Sequence, residues 1–301
     1  MRNVYVVGDV GQHVGQIVLT RIADGKLALL CRCGRYVGIQ GGSGPPPPWE
    51  EWPQLIVEQA KALIPASVAA AAAIKESSPH TRIFLDEVGI CNVCFGSLGW
   101  MDMNSTLGNR PNATFNNLQS VVLALWYGEM AAAGADMIAS SQLLGWIGDL
   151  YQPSFGQGAG YGNCPDLSLL DWETGEGNAR FHTEKMIIDS LGSGMKHVLE
   201  TKVIGSAAVY ARAFTPGADV AGWSWRWPDE RYQAAILLAN LNTTSQEVRL
   251  AGAVEGELWS VTFGVSGFAS VAYRKEQLVR DSFTLGPLAT AVVLLVNKTS
   301  S

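Results

Sequence analysis

Nowhere in this 301-residue chain do Lys and Arg gather into a basic stripe, and the formal charge is -6. A nucleic-acid partner is therefore not expected, because affinity for a phosphate backbone rests on concentrated cationic side chains. Long hydrophobic runs are missing too: the alanine tract Val68–Ile74 falls far short of the roughly 20 apolar residues that cross a bilayer. The expectation is a soluble chain with no membrane span. Residues 1–20 contain Asp9, His13 and several glycines with no continuous apolar core, so no secretory signal is legible. Histidine is scarce, and neither His80 nor His182 has a Ser or Cys partner at a recognisable spacing, which leaves a hydrolase triad unsupported. Five cysteines are an odd count that defines no disulfide framework. Cys91-Asn-Val-Cys94 has the spacing of half a zinc or redox site, but Cys31-Arg-Cys33 does not supply the other half. The reading is a local disulfide or free thiols, with no metal and no cofactor. Gly8, Gly11 and Gly15 lack the G-x-G-x-x-G spacing, strand and distant acid of a dinucleotide loop.

What is present describes a folded protein: 48% of residues are hydrophobic and 16% charged. Residues 1–44 hold β-like runs at Val4–Val7, Ile17–Ile22 and Lys26–Cys31, with Asp24-Gly25 as a hairpin signal. Gly41-Gly-Ser-Gly-Pro-Pro-Pro-Pro48 punctuates the chain as a flexible and then stiff loop. A helix follows from Trp52-Pro53 to Ser77, which Pro65 should kink or divide. Ile83–Leu85 reads as a short buried strand ending in Asp86, Glu87 and Gly89. A long irregular stretch, 90–117, precedes a helix over Asn116–Ala133 with Gly134 as its stop, and Ala135–Ser141 reads as a second buried strand ending at Gln142. That order is the order of βαβ units. After another glycine-rich loop, a helix over 178–195 takes Asn178 as its N-cap. Beyond Lys196 short strand-like runs with turns between them form the pattern of a β-sandwich. The domains expected are therefore 1–44, 45–197 and 198–301.

Strand tips are where α/β barrels keep their chemistry, so Asp86 and Glu87 are the first candidates. Strict alternation along a strand would keep both from aiming into one cavity, leaving one as catalyst and one as support. A carboxylate at a strand tip beside a long aromatic loop suits attack on a sugar's anomeric carbon, for which a retaining glycosidase uses a second carboxylate about 5 to 5.5 Å away. The plain alternative is that Asp86 and Glu87 cap the following loop. Trp100, Trp126, Trp146 and Trp172 lie where a cleft would form and suit stacking on sugar rings, or serve as core and rim packing. Gln142 is placed to hydrogen-bond a substrate hydroxyl, or is a satisfied buried amide.

Three stretches, Thr81-Arg-Ile-Phe-Leu-Asp-Glu-Val-Gly, Gly134-Ala-Asp-Met-Ile-Ala-Ser-Ser-Gln142 and Ser168-Leu-Leu-Asp-Trp-Glu-Thr-Gly, precede a β-rich tail with Ala235-Ile-Leu-Leu-Ala-Asn-Leu-Asn. In that order they resemble the C-terminal half of retaining (β/α)8-barrel glycoside hydrolases, family 79 above all, the heparanase and β-glucuronidase type. The likeness covers about residues 50–296 and rests on the order of elements. It implies a partial (β/α)8 barrel followed by a C-terminal antiparallel β-sandwich. Ile83–Glu87 would be its seventh strand, Glu87 the nucleophile, Asp86 a supporting residue, and Gln142 at the eighth strand near a carbohydrate substrate. The family's acid/base glutamate usually follows Asn, and no Asn-Glu pair precedes Glu87. Nor are the residues before Ile83 enough for six βα units at about 30 residues each.

The expectation is thus an incomplete retaining β-glycosidase, inactive or nearly so as it stands, prone to self-association through uncovered sheet edges. Four glycosylation acceptor sequences, at Asn104, Asn112, Asn242 and Asn297, point to a secreted parent protein. The rival from another class is a non-catalytic carbohydrate-binding or interaction protein in which Glu87 is structural.

Overall fold

Trp52-Pro53 starts the first helix because proline is preset for a helix's opening turn, where its missing N–H costs nothing. The computed structural model describes residues 4–6, 17–22, 26–31, 51–88, 113–140, 143, 169–170, 174–192, 196–217, 232–251, 255–262, 273–278 and 280–296, with backbone alone for 4–31, 52, 59, 86–88 and 196. Helix α1 (Trp52–Ser77) runs on through Pro65, so the proline does not divide it. Proline removes one intrahelical hydrogen bond, the one to the carbonyl of Lys61, which is an exposed residue. By length and composition α1 is apolar enough to cross a membrane, which counting only the continuous run Val68–Ile74 had missed. In this fold its Ile56, Val57, Ala60, Ile64 and Ala71 line a core.

Strands β1 (Val4–Val6), β2 (Ile17–Ile22), β3 (Lys26–Cys31), β4 (Ile83–Val88) and β5 (Met137–Ser140) form one sheet in that order. β2 is antiparallel to both β1 and β3, whereas β3, β4 and β5 are parallel. Parallel neighbours need long crossovers, and these are α1 between β3 and β4 and α2 (Ala113–Ala132) between β4 and β5. The strand order advances one way, so both helices pack together on one face, over the fully buried Ile83 and Leu85. On the other face Phe84 is half-buried and Met137 is 49% exposed. A parallel sheet is normally covered on both faces unless it curls round on itself.

Gly134 ends α2 as expected, with φ +84, a conformation that disfavours a side chain. α2 is buried nearly all round, because it lies between the parallel sheet and a second layer. That layer contains α3 (Ala179–Leu191), whose N-cap Asn178 accepts from the Phe181 N–H at 3.0 Å. It also contains an antiparallel sheet of β6 (Lys196–Leu199), β7 (Val209–Pro216), β8 (Tyr232–Asn240), β10 (Gly256–Val261), β11 (Arg274–Leu278) and β13 (Thr290–Val296), ordered β11-β10-β13-β8-β7-β6. A two-stranded pair, β9 (Gln246–Arg249) with β12 (Ser282–Leu285), covers its far side.

Alternation sorts β8 and β13 cleanly. Ala235, Leu237, Ala239, Val292 and Leu294 meet the helices, while Ile236, Leu238, Ala291 and Val293 meet the β9–β12 side. A polar latch ties α2 to β7: Glu129 accepts hydrogen bonds from Tyr210 Oη at 2.9 Å and from Arg212. Gly128 makes room for it, since a Cβ there would stand 2.1 Å from Tyr210 Oη. The molecule is thus mixed α/β with a six-stranded antiparallel sheet at its C-terminal side.

Candidate functional site

Glu87 is the penultimate residue of β4, the middle one of the three parallel strands. The start of that strand is pinned. Asp136 donates its N–H to the Ile83 carbonyl at 2.8 Å, and its Oδ2 accepts the Ile83 N–H at 2.8 Å and Lys75 Nζ at 3.1 Å. Lys75 also donates to the Thr81 carbonyl at 2.9 Å. The Lys75–Asp136 pair is partly exposed and worth little as an ion pair. Its effect is to fix where β4 begins relative to β5.

From that anchor the register runs Phe84 with Met137 and Leu85 with Ile138, then slips by one before Val88 meets Ser140. Asp86 and Glu87 together therefore stand against Ala139 alone. On the other side Asp86 keeps its regular place opposite Leu30 of β3. The backbone of Asp86 and Glu87 thus lies at an irregularity in the pairing with β5, where an extra residue interrupts the period of two. Such slips cluster beside active sites, where they re-aim a side chain. The side chains of Asp86 and Glu87 lie outside the described residues.

α2 carries the chain back from the tip of β4 to the start of β5, so its first turns lie at the Glu87 end of the sheet. Those turns hold the buried polar residues Asn116, Asn117, Gln119 and Ser120. Arg180, in the first turn of α3, is wholly buried and donates from Nη1 to Gln119 Oε1 at 2.6 Å. One turn on, burial pushes the Glu184 carboxyl up to about 7 against the pull of the Arg180 guanidinium. Burial also lowers the neighbouring His182, opposed by a hydrogen bond with the Gly177 backbone. Thr183 and Thr290 pair their hydroxyls at 2.8 Å, joining α3 to β13. The cluster therefore braces α2 against α3 at the same end as the strand tip.

No protein-family model matches the chain, and no curated protein matches it. Part of it is distantly similar to glycoside hydrolases. The family 30 subfamily 8 xylanase Xyn30A from Clostridium acetobutylicum matches with a TM-score of 0.44 at 11% identity, over 75% of this chain and 45% of that one. A thermostable family 51 α-L-arabinofuranosidase from Thermotoga petrophila matches with a TM-score of 0.48 at 12% identity, over 81% and 50%. CelM2, a bifunctional glucanase-xylanase from a metagenome library, matches at 0.40 and 12%, over 79% and 34%. The chain spans half or less of the length of these structures. TM-scores below 0.5 are too loose to carry any residue's role across.

Of the residues singled out from sequence, Glu87 and Asp86 lie at the tip of β4, and Trp126 is a core residue of α2, 8% exposed. Gln142, Trp100, Trp146, Trp172, Cys91 and Cys94 lie outside the described residues. Among the described residues no group of three or more His, Cys, Asp or Glu is placed to hold a metal. Sequence reading missed the register slip, which leaves no mark in composition, and the Arg180–Gln119 brace. The brace had a signal: Asn116-Asn117 and Gln119-Ser120 interrupt an otherwise apolar helix.

Proposed function

We propose that this chain carries the nucleophile of a retaining β-glycosidase, of the family 79 type, and that the nucleophile is Glu87. The observation that carries the reading is position: Glu87 is the penultimate residue of the middle parallel strand, at a register slip, on a sheet whose described helices lie on one face. A (β/α)8 barrel keeps its chemistry at the tips of such strands and its helices outside. On this reading residues 45–197 belong to a barrel and 198–301 to its companion β-sandwich. Within residues 1–44, β2 runs antiparallel to β3 and departs from an all-parallel barrel, whereas β3 joins β4 in parallel.

In the proposed reaction a Glu87 carboxylate oxygen bonds to the anomeric carbon as the glycosidic bond breaks, and a second carboxylic acid protonates the departing oxygen. Water then attacks the glycosyl-enzyme, yields its proton to that second group, and frees Glu87. Asp86 supports the nucleophile, Gln142 bonds a sugar hydroxyl, and Trp100 and Trp146 stack on sugar rings. No Asn-Glu pair precedes Glu87 in this sequence, so on this reading none of its residues is assigned as the second carboxylate. Substrates whose leaving group needs a proton should therefore react poorly.

Two aryl β-glycosides test this. Release of dinitrophenolate, which leaves without protonation, is expected, with little phenol from the phenyl glycoside. Glu87→Gln should lower dinitrophenolate release by about 10³-fold or more, the scale on which loss of a covalent nucleophile is felt. Equal release by both proteins, zero included, contradicts the assignment.

A further inference from the structure

Of the four acceptor sequences, those at Asn104, Asn112 and Asn297 lie outside the described residues. The fourth, Asn242-Thr243-Thr244, sits in the turn between β8 and β9. Asn240, two residues earlier, builds that turn from inside. It is fully buried, and its Nδ2 donates to the carbonyls of Thr244 at 2.8 Å, Leu285 at 3.3 Å and Gly286 at 2.7 Å. Its Oδ1 accepts the Asn242 N–H at 3.0 Å. Asn242 contributes its backbone instead, its carbonyl accepting the Leu288 N–H at 2.9 Å. Among the described residues its side chain takes part in one loose contact, with the Thr243 hydroxyl at 3.5 Å. Thr243, Thr244 and Ser245 are all exposed.

We propose that Asn242 is an acceptor for an N-linked glycan. The two asparagines separate the requirements. Asn240 lacks a hydroxyl two residues on, and its carboxamide holds the turn together. Asn242 has Thr244 at the required position, and its carboxamide is not needed to hold the turn, so a bulky substituent there extends from an exposed loop without unseating a packed group. In the transfer, Asn242 Nδ2 bonds to the anomeric carbon of a polyprenyl-diphosphate-linked oligosaccharide. The carbon–oxygen bond to the diphosphate breaks, the polyprenyl diphosphate leaves, and the amide gives up one proton. The proposal places the chain in a secretory compartment and is independent of the Glu87 assignment.

The test is peptide mapping of the full chain made through the secretory route of a eukaryotic host and deglycosylated by a peptide amidase in heavy-oxygen water. Medium and cell extract are both digested, so a retained chain reads the same way. Most molecules should carry labelled Asp at position 242. The Thr244→Ala variant should lose the label, while Thr244→Ser and Thr243→Ala keep it, which separates loss of the acceptor from loss of the fold. Unlabelled Asn242 in the parent chain, or a label that survives Thr244→Ala, overturns the proposal.

Discussion

In the C-terminal sheet, β8 and β13 are packed on both faces, one against α2 and α3 and the other against β9 and β12. Among the described residues, β4 and β5 are packed against helices on one face, and β5 is the last strand of its sheet, with Met137 49% exposed. Burial on two faces makes a strand's stability its own, whereas burial on one leaves it dependent on local pins. The difference teaches where the molecule invests. The scaffold is closed around α2 and α3, and the strand tip bearing Glu87 is held chiefly by the Asp136 anchor below and the Arg180 brace beside it.

The largest effect should come from breaking the closed side. Phe214 is fully buried and sits edge-on to Tyr127 of α2, ring centroids 6.2 Å apart. Phe214→Ala should cost about 3–5 kcal/mol, read as a fall in the denaturant midpoint. A loss below ~1 kcal/mol would mean that the two layers do not share one core.

The brace gives the next effect, visible as pH dependence. Burial pushes the Glu184 carboxyl up from its ordinary 4.5 to about 7, so the fold favours its protonated form. Stability from this group is complete below about pH 4.5 and is lost as pH rises through 7, by at most ~3 kcal/mol. His182 opposes this trend: its neutral form is favoured, and that contribution is lost as pH falls. The measurement is therefore the difference between the parent and Glu184→Gln across pH 4 to 8, and the variant should be flatter. Parallel curves would place Glu184 in water.

Asp136→Ala should be the mildest, about 1–2 kcal/mol. Its signature is regional: amide hydrogens of Ile83–Leu85 should exchange faster while those of β8 and β13 do not change. Uniform acceleration would mean that the two sheets unfold as one unit.

How much of this was legible in sequence follows the same division. Helix α1 was read to its residues because an apolar face begins at Trp52-Pro53, and Asn178 and Gly134 announced a cap and a stop. β8 and β13 were legible as apolar runs because both faces are buried. β11, Arg-Lys-Glu-Gln-Leu, escaped notice because an edge strand with exposed side chains carries no period-two pattern. β6 was hidden for the same reason, its described side chains being half-buried or exposed. At the site, the sequence offered two acids at a strand end but not the register slip there, since register is a property of a pair of strands.

The central claim is that Glu87 is a covalent nucleophile, and one measurement reaches it without requiring the second carboxylate. Incubation with a 2-deoxy-2-fluoro-β-glycoside bearing a dinitrophenyl leaving group, followed by peptide mass analysis, should find the fluoroglycosyl group on Glu87 and none in Glu87→Gln. An unlabelled parent chain, or a label on Asp86 or elsewhere, would contradict it.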